Sequence, residues 1–179
     1  MIHYITVYRE DKDLGKAYNQ EMERLQNDED WCCFVDADCL FVNPFFGTQI
    51  AGVIKDNPKC KLFTSVTNRV GTKYQCVEGM WDENDMSEHF TVGRRLAETF
   101  GSRCSDITNN APFSGVIMLI QKKEWKRVKG FKELGGALGV DNSIHYAVRD
   151  NGGKVMLMEG VYVMHYYRNG DMSDKKHLL

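Results

Sequence analysis

Two aspartates, Asp36 and Asp38, follow an apolar run at residues 31–35 and precede a second apolar run at residues 40–42. Ionised carboxylates are costly to hold beside a dry core unless a cation or a hydrogen-bond donor meets them. Hard divalent cations take oxygen ligands of this kind, usually one or two carboxylates together with phosphate oxygens. The pattern therefore predicts a Mg²⁺ or Mn²⁺ phosphate site at the carboxyl end of a buried strand, where open α/β sheets bind ligands.

The Asp-x-Asp pattern occurs three times, at residues 11–13, 28–30 and 36–38. Only the third pair has apolar residues on both sides. The other two lie among lysine, glutamate and asparagine, which is typical of solvated loops and helix ends. At residues 36–38 the alternative is a strand-to-turn transition in which aspartate caps the turn. Because of the apolar context, we favour the metal interpretation for this pair.

The composition is that of a globular protein. With 179 residues and a hydrophobic fraction of 42%, the chain favours a single domain over residues 1–179 with a substantial core. A net charge of −2 without a clustered basic surface argues against nucleic acid as a partner. We expect no transmembrane segment and no signal peptide, because no apolar run reaches ~20 residues and residues 1–10 lack the signal pattern. Six cysteines without metal-like spacing predict reduced thiols in a cytoplasmic protein.

Predicted strands and helices alternate along the chain. Apolar runs and alternation predict strands at 2–8, 31–35, 61–66, 116–120, 155–158 and 161–164. Helical periodicity predicts helices at 14–26, 45–54, 85–100, 124–128 and 142–149, with Asp13 as the cap of the first. The alternation predicts a three-layer α/β/α fold with a mostly parallel, mixed sheet.

Four segments follow one another in an order typical of one family. They are LGKAYNQEM with FVDADCLF after it, APFSGVIMLIQKKEW, GFKELGGALGVDNSIHYAVRDNGGKV, and VYVMHYYR. In this order they resemble the glycosyltransferases of the GT-A fold, in particular the large inverting group that uses nucleotide sugars. Compared with that family's pattern, the chain is one βα unit short before Asp-x-Asp.

The resemblance implies roles for four residues. Asp36, Asp38 and His165 would hold Mn²⁺ or Mg²⁺, with Asp38 binding directly and Asp36 contacting the ribose or a metal-bound water. Asp141, which follows a glycine-rich loop, would be the general base that takes the proton of the acceptor hydroxyl. From the residues alone, alternatives stay open: Asp141 as a helix N-cap, and His165 as a half-buried histidine bonded to the backbone.

Further residues at strand ends, or at positions that resemble the family's donor contacts, are candidates for binding the nucleotide sugar, although turn residues and surface charges would look the same. They are Tyr8, Arg9, Lys16, Asn19, Asn68, Arg69, Ser114, Gly115 and Arg168. The polar tail at residues 169–179 is expected either to close over the donor or to be a mobile terminus.

The predicted function is metal-dependent transfer of a sugar from a UDP- or GDP-sugar donor to an acceptor hydroxyl, with inversion; the sequence does not identify the acceptor. One alternative is an aspartate-nucleophile phosphohydrolase that uses Asp36 as nucleophile and Asp38 as general acid. Against it, Cys39 and Leu40 stand where glycine and threonine usually follow. A second alternative is a non-catalytic module that binds sugar nucleotides, which the missing βα unit motivates.

Overall fold

The computed structural model describes residues 1–167, and these residues form an α/β fold with a mixed seven-stranded sheet. The strands are β1 (Ile2–Ile5), β2 (Trp31–Val35), β3 (Cys39–Phe41), β4 (Leu62–Thr67), β5 (Cys104–Asp106), β6 (Ile117–Gln121) and β7 (Val155–His165). The helices are α1 (Leu14–Arg24), α2 (Phe46–Asp56), α3 (Met86–Phe100), α4 (Lys122–Arg127) and α5 (Val140–Asp150), with a 3-10 helix at Lys73–Gln75. Within this part of the chain, every helix is too short or too polar to cross a membrane.

Local sequence signals account for the ends of the best-predicted elements. The Asp13 carboxylate accepts a hydrogen bond from the Lys16 amide at 3.1 Å, so the predicted cap of α1 is confirmed. Helix α3 ends at Gly101, whose φ of 51° lies in the left-handed region that favours glycine. Strand β2 has its predicted bounds, whereas β1 ends at Ile5 rather than at Tyr8.

The strand directions correct the expectation of a mostly parallel sheet. The strands follow the order β1-β2-β6-β4-β7-β3, with β5 beside β7. Strand β1 pairs parallel with β2, but the pairings β2–β6, β4–β6 and β3–β7 are antiparallel. A short apolar run reports that a strand is buried and does not report its direction. Alternation with helices was therefore an insufficient guide.

The last two predicted strands form one continuous strand, β7. Gly160 lies inside it rather than at a break. A Cβ at this position would approach the Gly101 carbonyl oxygen to 2.3 Å, so glycine permits close passage of two backbone segments. Gly160 therefore marks a close backbone contact and not a turn.

The described chain divides into two compact units. Unit 1 comprises residues 1–37, 59–64 and 106–156; unit 2 comprises residues 38–58, 65–105 and, among the described residues, 157–167. Each unit is therefore assembled from three stretches of the sequence. The assignment of residues 1–179 to one domain stays a prediction.

The core of unit 1 is built on β2. Cys32 and Cys33 are fully buried there, and Phe34 packs against the ring of Tyr18 with a centroid separation of 4.4 Å. Burial raises the pKa of the Cys33 thiol to about 12, so this cysteine stays protonated and packs as a small hydrophobe. All six cysteines are free thiols, which agrees with the prediction from their spacing.

The core of unit 2 packs α3 against β7 and the segment after β3. Its buried members are Val42, Met80, Val92, Tyr162 and Met164. Gly93 of α3 sits at the centre of this packing, because a Cβ there would lie 2.3 Å from Cγ2 of Val42. The helix can approach this closely only without a side chain at that position.

We expect Gly93→Ala to destabilise the protein. Alanine gains about 1 kcal/mol of helix propensity over glycine, but forcing a methyl group into a packed core costs about 1–3 kcal/mol or more. The matched control is Gly52→Ala in α2, where a Cβ would meet nothing within 4 Å. Thermal unfolding should place the Tm of Gly93→Ala several degrees below that of Gly52→Ala, and equal values would contradict the described packing.

Candidate functional site

The side chains of Asp38, Cys39 and His165 converge in unit 2. Antiparallel pairing of β3 with β7 sets Cys39 directly opposite His165, so both side chains emerge on the same face. Asp38 lies in the turn before β3, and its carbonyl oxygen accepts a hydrogen bond from the Tyr166 amide at 2.8 Å. Because a turn breaks strand alternation, the Asp38 carboxylate also reaches this face. Potential ligand atoms of the three residues lie within 4.8 Å of one another.

The imidazole of His165 is held by the main chain around it. Its Nδ1 lies 2.8 Å from the carbonyl oxygen of Arg69, which can only accept, so Nδ1 carries the proton and donates. The His165 amide donates to Oδ1 of Asn68 at 2.7 Å. These two bonds leave Nε2 facing the Asp38 carboxylate. The backbone-bonded alternative for His165 is therefore correct as far as Nδ1 is concerned, and Nε2 is directed at an acid.

The separation of His165 Nε2 from Asp38 Oδ2 is 3.4 Å. A charge-assisted hydrogen bond between such groups is usually about 2.7–2.9 Å. Side-chain exposure is 10% for His165 and 29% for Asp38, so both groups are largely shielded while remaining accessible. A cation held between the imidazole nitrogen and the carboxylate would be bound by lone pairs of both groups.

Asn68 and Arg69 support His165. Both are fully buried directly after β4. The Arg69 guanidinium donates to the Glu83 carbonyl oxygen and to Oδ1 of Asn84 at 3.0 Å, and burial lowers its pKa. These contacts fix the backbone that binds the imidazole. The predicted contact of Asn68 and Arg69 with a donor stays a prediction.

Asp36 and Asp141 belong to unit 1. The Asp36 amide donates to the Val116 carbonyl oxygen at 3.1 Å, which extends the pairing of β2 with β6 by one residue. Burial raises the pKa of the Tyr18 phenol, and the negative charges of Asp36 and Asp141 raise it further. Both carboxylates therefore lie within electrostatic reach of the same tyrosine.

Asp141 is not the N-cap of α5, so that alternative is wrong. The N-cap is Gly139, with a left-handed φ of 81°, and Asp141 lies in the first turn. Its Oδ2 accepts from the Gly115 amide at 3.0 Å, and its Oδ1 from the Asn142 amide at 2.8 Å. Burial nevertheless raises the pKa of Asp141. A Cβ on Gly115 would meet the Asp141 Cβ at 3.0 Å, so glycine beside Ser114 permits this approach.

Three residues near the N-terminus that are predicted to bind the nucleotide-sugar donor are either exposed to solvent or bonded to another side chain. Tyr8 is 85% exposed beyond the end of β1, and Lys16 is exposed on α1. Arg9 forms a two-point contact with Asp11, with Nε to Oδ1 at 2.8 Å and Nη2 to Oδ2 at 2.5 Å. A phosphate would have to compete with that carboxylate for Arg9.

Asn19 has a structural role in unit 1. Its Oδ1 accepts from the Phe131 amide and from Trp125 Nε1, each at 2.9 Å, and its Nδ2 donates to the Phe131 carbonyl oxygen at 2.9 Å. The amide thereby ties α1 to residues 125–131. Arg168 and the tail at 169–179 lie outside the described residues, so their predicted roles stay predictions.

Cys39 is the functional candidate that sequence reasoning missed. The spacing of the cysteines predicts a reduced thiol outside any metal site, but Cys39 is half-buried and lies with Asp38 and His165. Its nearness to Asp38 in sequence was a usable signal. Its nearness to His165 depends on the register of two distant strands, which the sequence does not state.

Unit 2 also contains a cavity of about 700 Å³ lined by β3, the segment after it and one side of α3. Phe45 and Phe90 contribute aromatic walls, and Arg94 and Glu98 contribute charges. The residues described as lining it include none of the predicted site residues. Its size alone therefore does not outweigh the chemistry of the Asp38 cluster.

No family model matches the chain. No curated protein matches it either. Membership of the GT-A group stays a prediction carried by the order of the four segments.

Asp141→Asn tests the effect of burial on this carboxyl. A raised folded-state pKa means that the folded protein binds this proton more tightly than the unfolded chain, whose aspartates titrate near about 3.9. The stability contribution is complete below that value and is lost as pH rises through the folded-state pKa. In thermal melts from about pH 3 to about pH 7, wild-type Tm should fall relative to that of Asp141→Asn.

The control for this measurement is a carboxyl with the opposite shift. A hydrogen bond from Thr108 at 2.5 Å and the Lys154 ammonium at 2.9 Å lower the pKa of Asp106 to about 2. Its contribution is present above about 3.9 and is lost as pH falls through the folded-state value. The Tm of wild type should therefore rise with pH relative to that of Asp106→Asn, which is the opposite of its trend relative to Asp141→Asn. If the Tm difference from wild type changed with pH in the same direction for both variants, the opposite pKa shifts of Asp141 and Asp106 would be contradicted.

Proposed function

We propose that the protein is a nucleotide-sugar glycosyltransferase that depends on a divalent cation and transfers with inversion. The observation that carries the proposal is the approach of His165 Nε2 to Asp38 Oδ2 at 3.4 Å. The resemblance of the four segments implies that these two residues share a cation. The UDP- or GDP-sugar donor and the inversion rest on the resemblance of the four segments.

Asp38 and His165 are the residues that would hold the cation. When bound, a divalent cation acts as a Lewis acid that neutralises charge on the departing diphosphate. His165 serves this role because its ring is oriented by the Arg69 carbonyl and presents Nε2 as the ligand atom. Asp36, whose carboxylate is not part of the Asp38 cluster, has the proposed role of contacting the ribose or a metal-bound water.

Asp141 is the proposed general base. In inverting transfer, the acceptor hydroxyl oxygen bonds to the anomeric carbon, the bond from that carbon to the diphosphate breaks, and the hydroxyl proton passes to the base. Burial raises the pKa of Asp141, which brings its basicity closer to that needed at neutral pH. The amides of Gly115 and Asn142 fix the orientation of the carboxylate.

Asp38→Ala should abolish cation-dependent binding of the donor. Titration calorimetry with UDP and GDP, each with Mn²⁺, Mg²⁺ or Zn²⁺, measures this directly. The matched control is Asp28→Ala, which alters another Asp-x-Asp pair and removes an exposed carboxylate bonded to Lys126 at 2.5 Å. Asp28→Ala should bind as wild type does. Wild type that binds neither nucleotide with any cation would overturn the proposal.

Asp141→Asn should leave donor binding unchanged and lower transfer about 10²–10⁴-fold, because a positioned base typically contributes that much. Transfer is measured as nucleotide release in the presence of an acceptor panel. Normal transfer by this variant would remove Asp141 from the mechanism. Donor binding without transfer to any acceptor would favour the binding module. Cleavage of p-nitrophenyl phosphate that is lost in Asp36→Asn would favour the phosphohydrolase.

A further inference from the structure

The group formed by Asp38, Cys39 and His165 contains a sulfur atom that the proposed function leaves unused. Cys39 is the Cα partner of His165 across β3 and β7, and directly opposed side chains in an antiparallel pair have Cβ atoms about 4.5–5.5 Å apart. One candidate ligand atom from each residue lies within 4.8 Å of the other two. The backbone pairing therefore brings the thiol to the same place as the carboxylate and the imidazole.

We propose that Cys39 binds the cation as a thiolate, and that the site selects a borderline-soft metal of the Zn²⁺ type over Mg²⁺ and Mn²⁺. This inference rests on the cation site of the proposed function and replaces the Mg²⁺ or Mn²⁺ that the resemblance implies. On binding, the sulfur–metal bond forms and the thiol proton passes to solvent.

The chemistry of the three ligand atoms favours a metal of the Zn²⁺ type. Mg²⁺ requires an octahedral shell of oxygen and retains several waters, so sulfur and nitrogen are poor ligands for it. Mn²⁺ stands at the weak end of the affinity order for divalent first-row metals, whereas Zn²⁺ binds thiolate, imidazole and carboxylate together. One oxygen, one sulfur and one nitrogen form such a mixed set.

The separation of the nitrogen and oxygen ligand atoms agrees with a tetrahedral ion. Bonds of about 2.0–2.1 Å from zinc to nitrogen and oxygen at the tetrahedral angle give a ligand separation of about 3.3 Å. The separation of His165 Nε2 from Asp38 Oδ2 is 3.4 Å. Three protein ligands leave a fourth position open, which is typical of catalytic rather than structural zinc sites.

The surroundings of His165 also fit a metal ligand. A histidine that binds a metal nearly always donates its other ring N–H to a carboxylate or a backbone carbonyl, which fixes the tautomer. The bond from His165 Nδ1 to the Arg69 carbonyl oxygen, at 2.8 Å, is of this kind. Asp38 remains 29% exposed, so the ion has a route from solvent.

Cobalt(II) provides the direct test, because it replaces zinc in such sites and gives a near-ultraviolet charge-transfer band only when sulfur is bound. Metal-free wild type, Cys39→Ser and Cys104→Ser are titrated with Co²⁺ under reducing conditions. Cys104 is a matched control because it is a half-buried free cysteine on another strand, β5. Wild type and Cys104→Ser should show the band, and Cys39→Ser should lack it.

Competition with Zn²⁺ gives the affinities. Loss of a residue that only hydrogen-bonds to a metal ligand weakens metal binding about 10–100-fold. Cys39→Ser removes a ligand, so it should lower the affinity for Zn²⁺ by at least that factor and change the affinity for Mg²⁺ little. The rate at which Cys39 of wild type is alkylated gives a test that does not depend on how the variant folds. Zn²⁺ should slow this alkylation, which peptide mass spectrometry measures, and should leave the alkylation rate of Cys104 unchanged.

The outcomes separate this inference from the proposed function. Visible Co²⁺ bands without a sulfur band, or alkylation of Cys39 at one rate with and without Zn²⁺, would overturn the role of Cys39 and leave Asp38 and His165 as a cation pair. Failure of wild type to bind Co²⁺ and Zn²⁺ would overturn this inference. Nucleotide binding with Mn²⁺ or Mg²⁺ in that case would still support the proposed function.

Discussion

The antiparallel pairing of β3 with β7 is the constraint on which the candidate metal site depends. Strand β3 has only three residues, and its register with β7 sets Cys39 opposite His165. The turn before β3 then delivers the Asp38 carboxylate to the same face. A slip of one residue in this register would turn the Cys39 side chain to the opposite face of the sheet. Burial of Val42, Tyr162 and Met164 beside this pairing resists such a slip.

Elements with strong local signals were predictable from the sequence. The capping carboxylate of Asp13, the five-residue run of β2 and the glycine that ends α3 are all local features, and each has its expected place. Strand directions and the continuity of β7 were not predictable. Both depend on contacts between distant segments, such as the passage of Gly160 beside the Gly101 carbonyl.

The candidate site divides in the same way. Asp38 and His165 were identified through the order of four segments, and their side chains are neighbours in unit 2. Cys39 escaped notice because its partner is 126 positions away in sequence, and only the register joins them. Arg9 follows the predicted end of β1, which suggested a ligand contact, but the strand ends at Ile5 and Arg9 binds the carboxylate of Asp11. Residue spacing in the sequence identifies candidate reactive side chains, whereas the pairing of distant strands determines which of them are in contact.

The Nδ1 side of the His165 imidazole is oriented by a carbonyl of the main chain. Every amino acid at position 69 would supply the same oxygen. The orienting contact therefore depends on the path of the backbone, which the Arg69 guanidinium holds through its bonds to Glu83 and Asn84. A search for co-varying residue types would pass over it, since a peptide group has no alternatives to exchange. Part of the specificity of this centre is thus set by the path of the backbone.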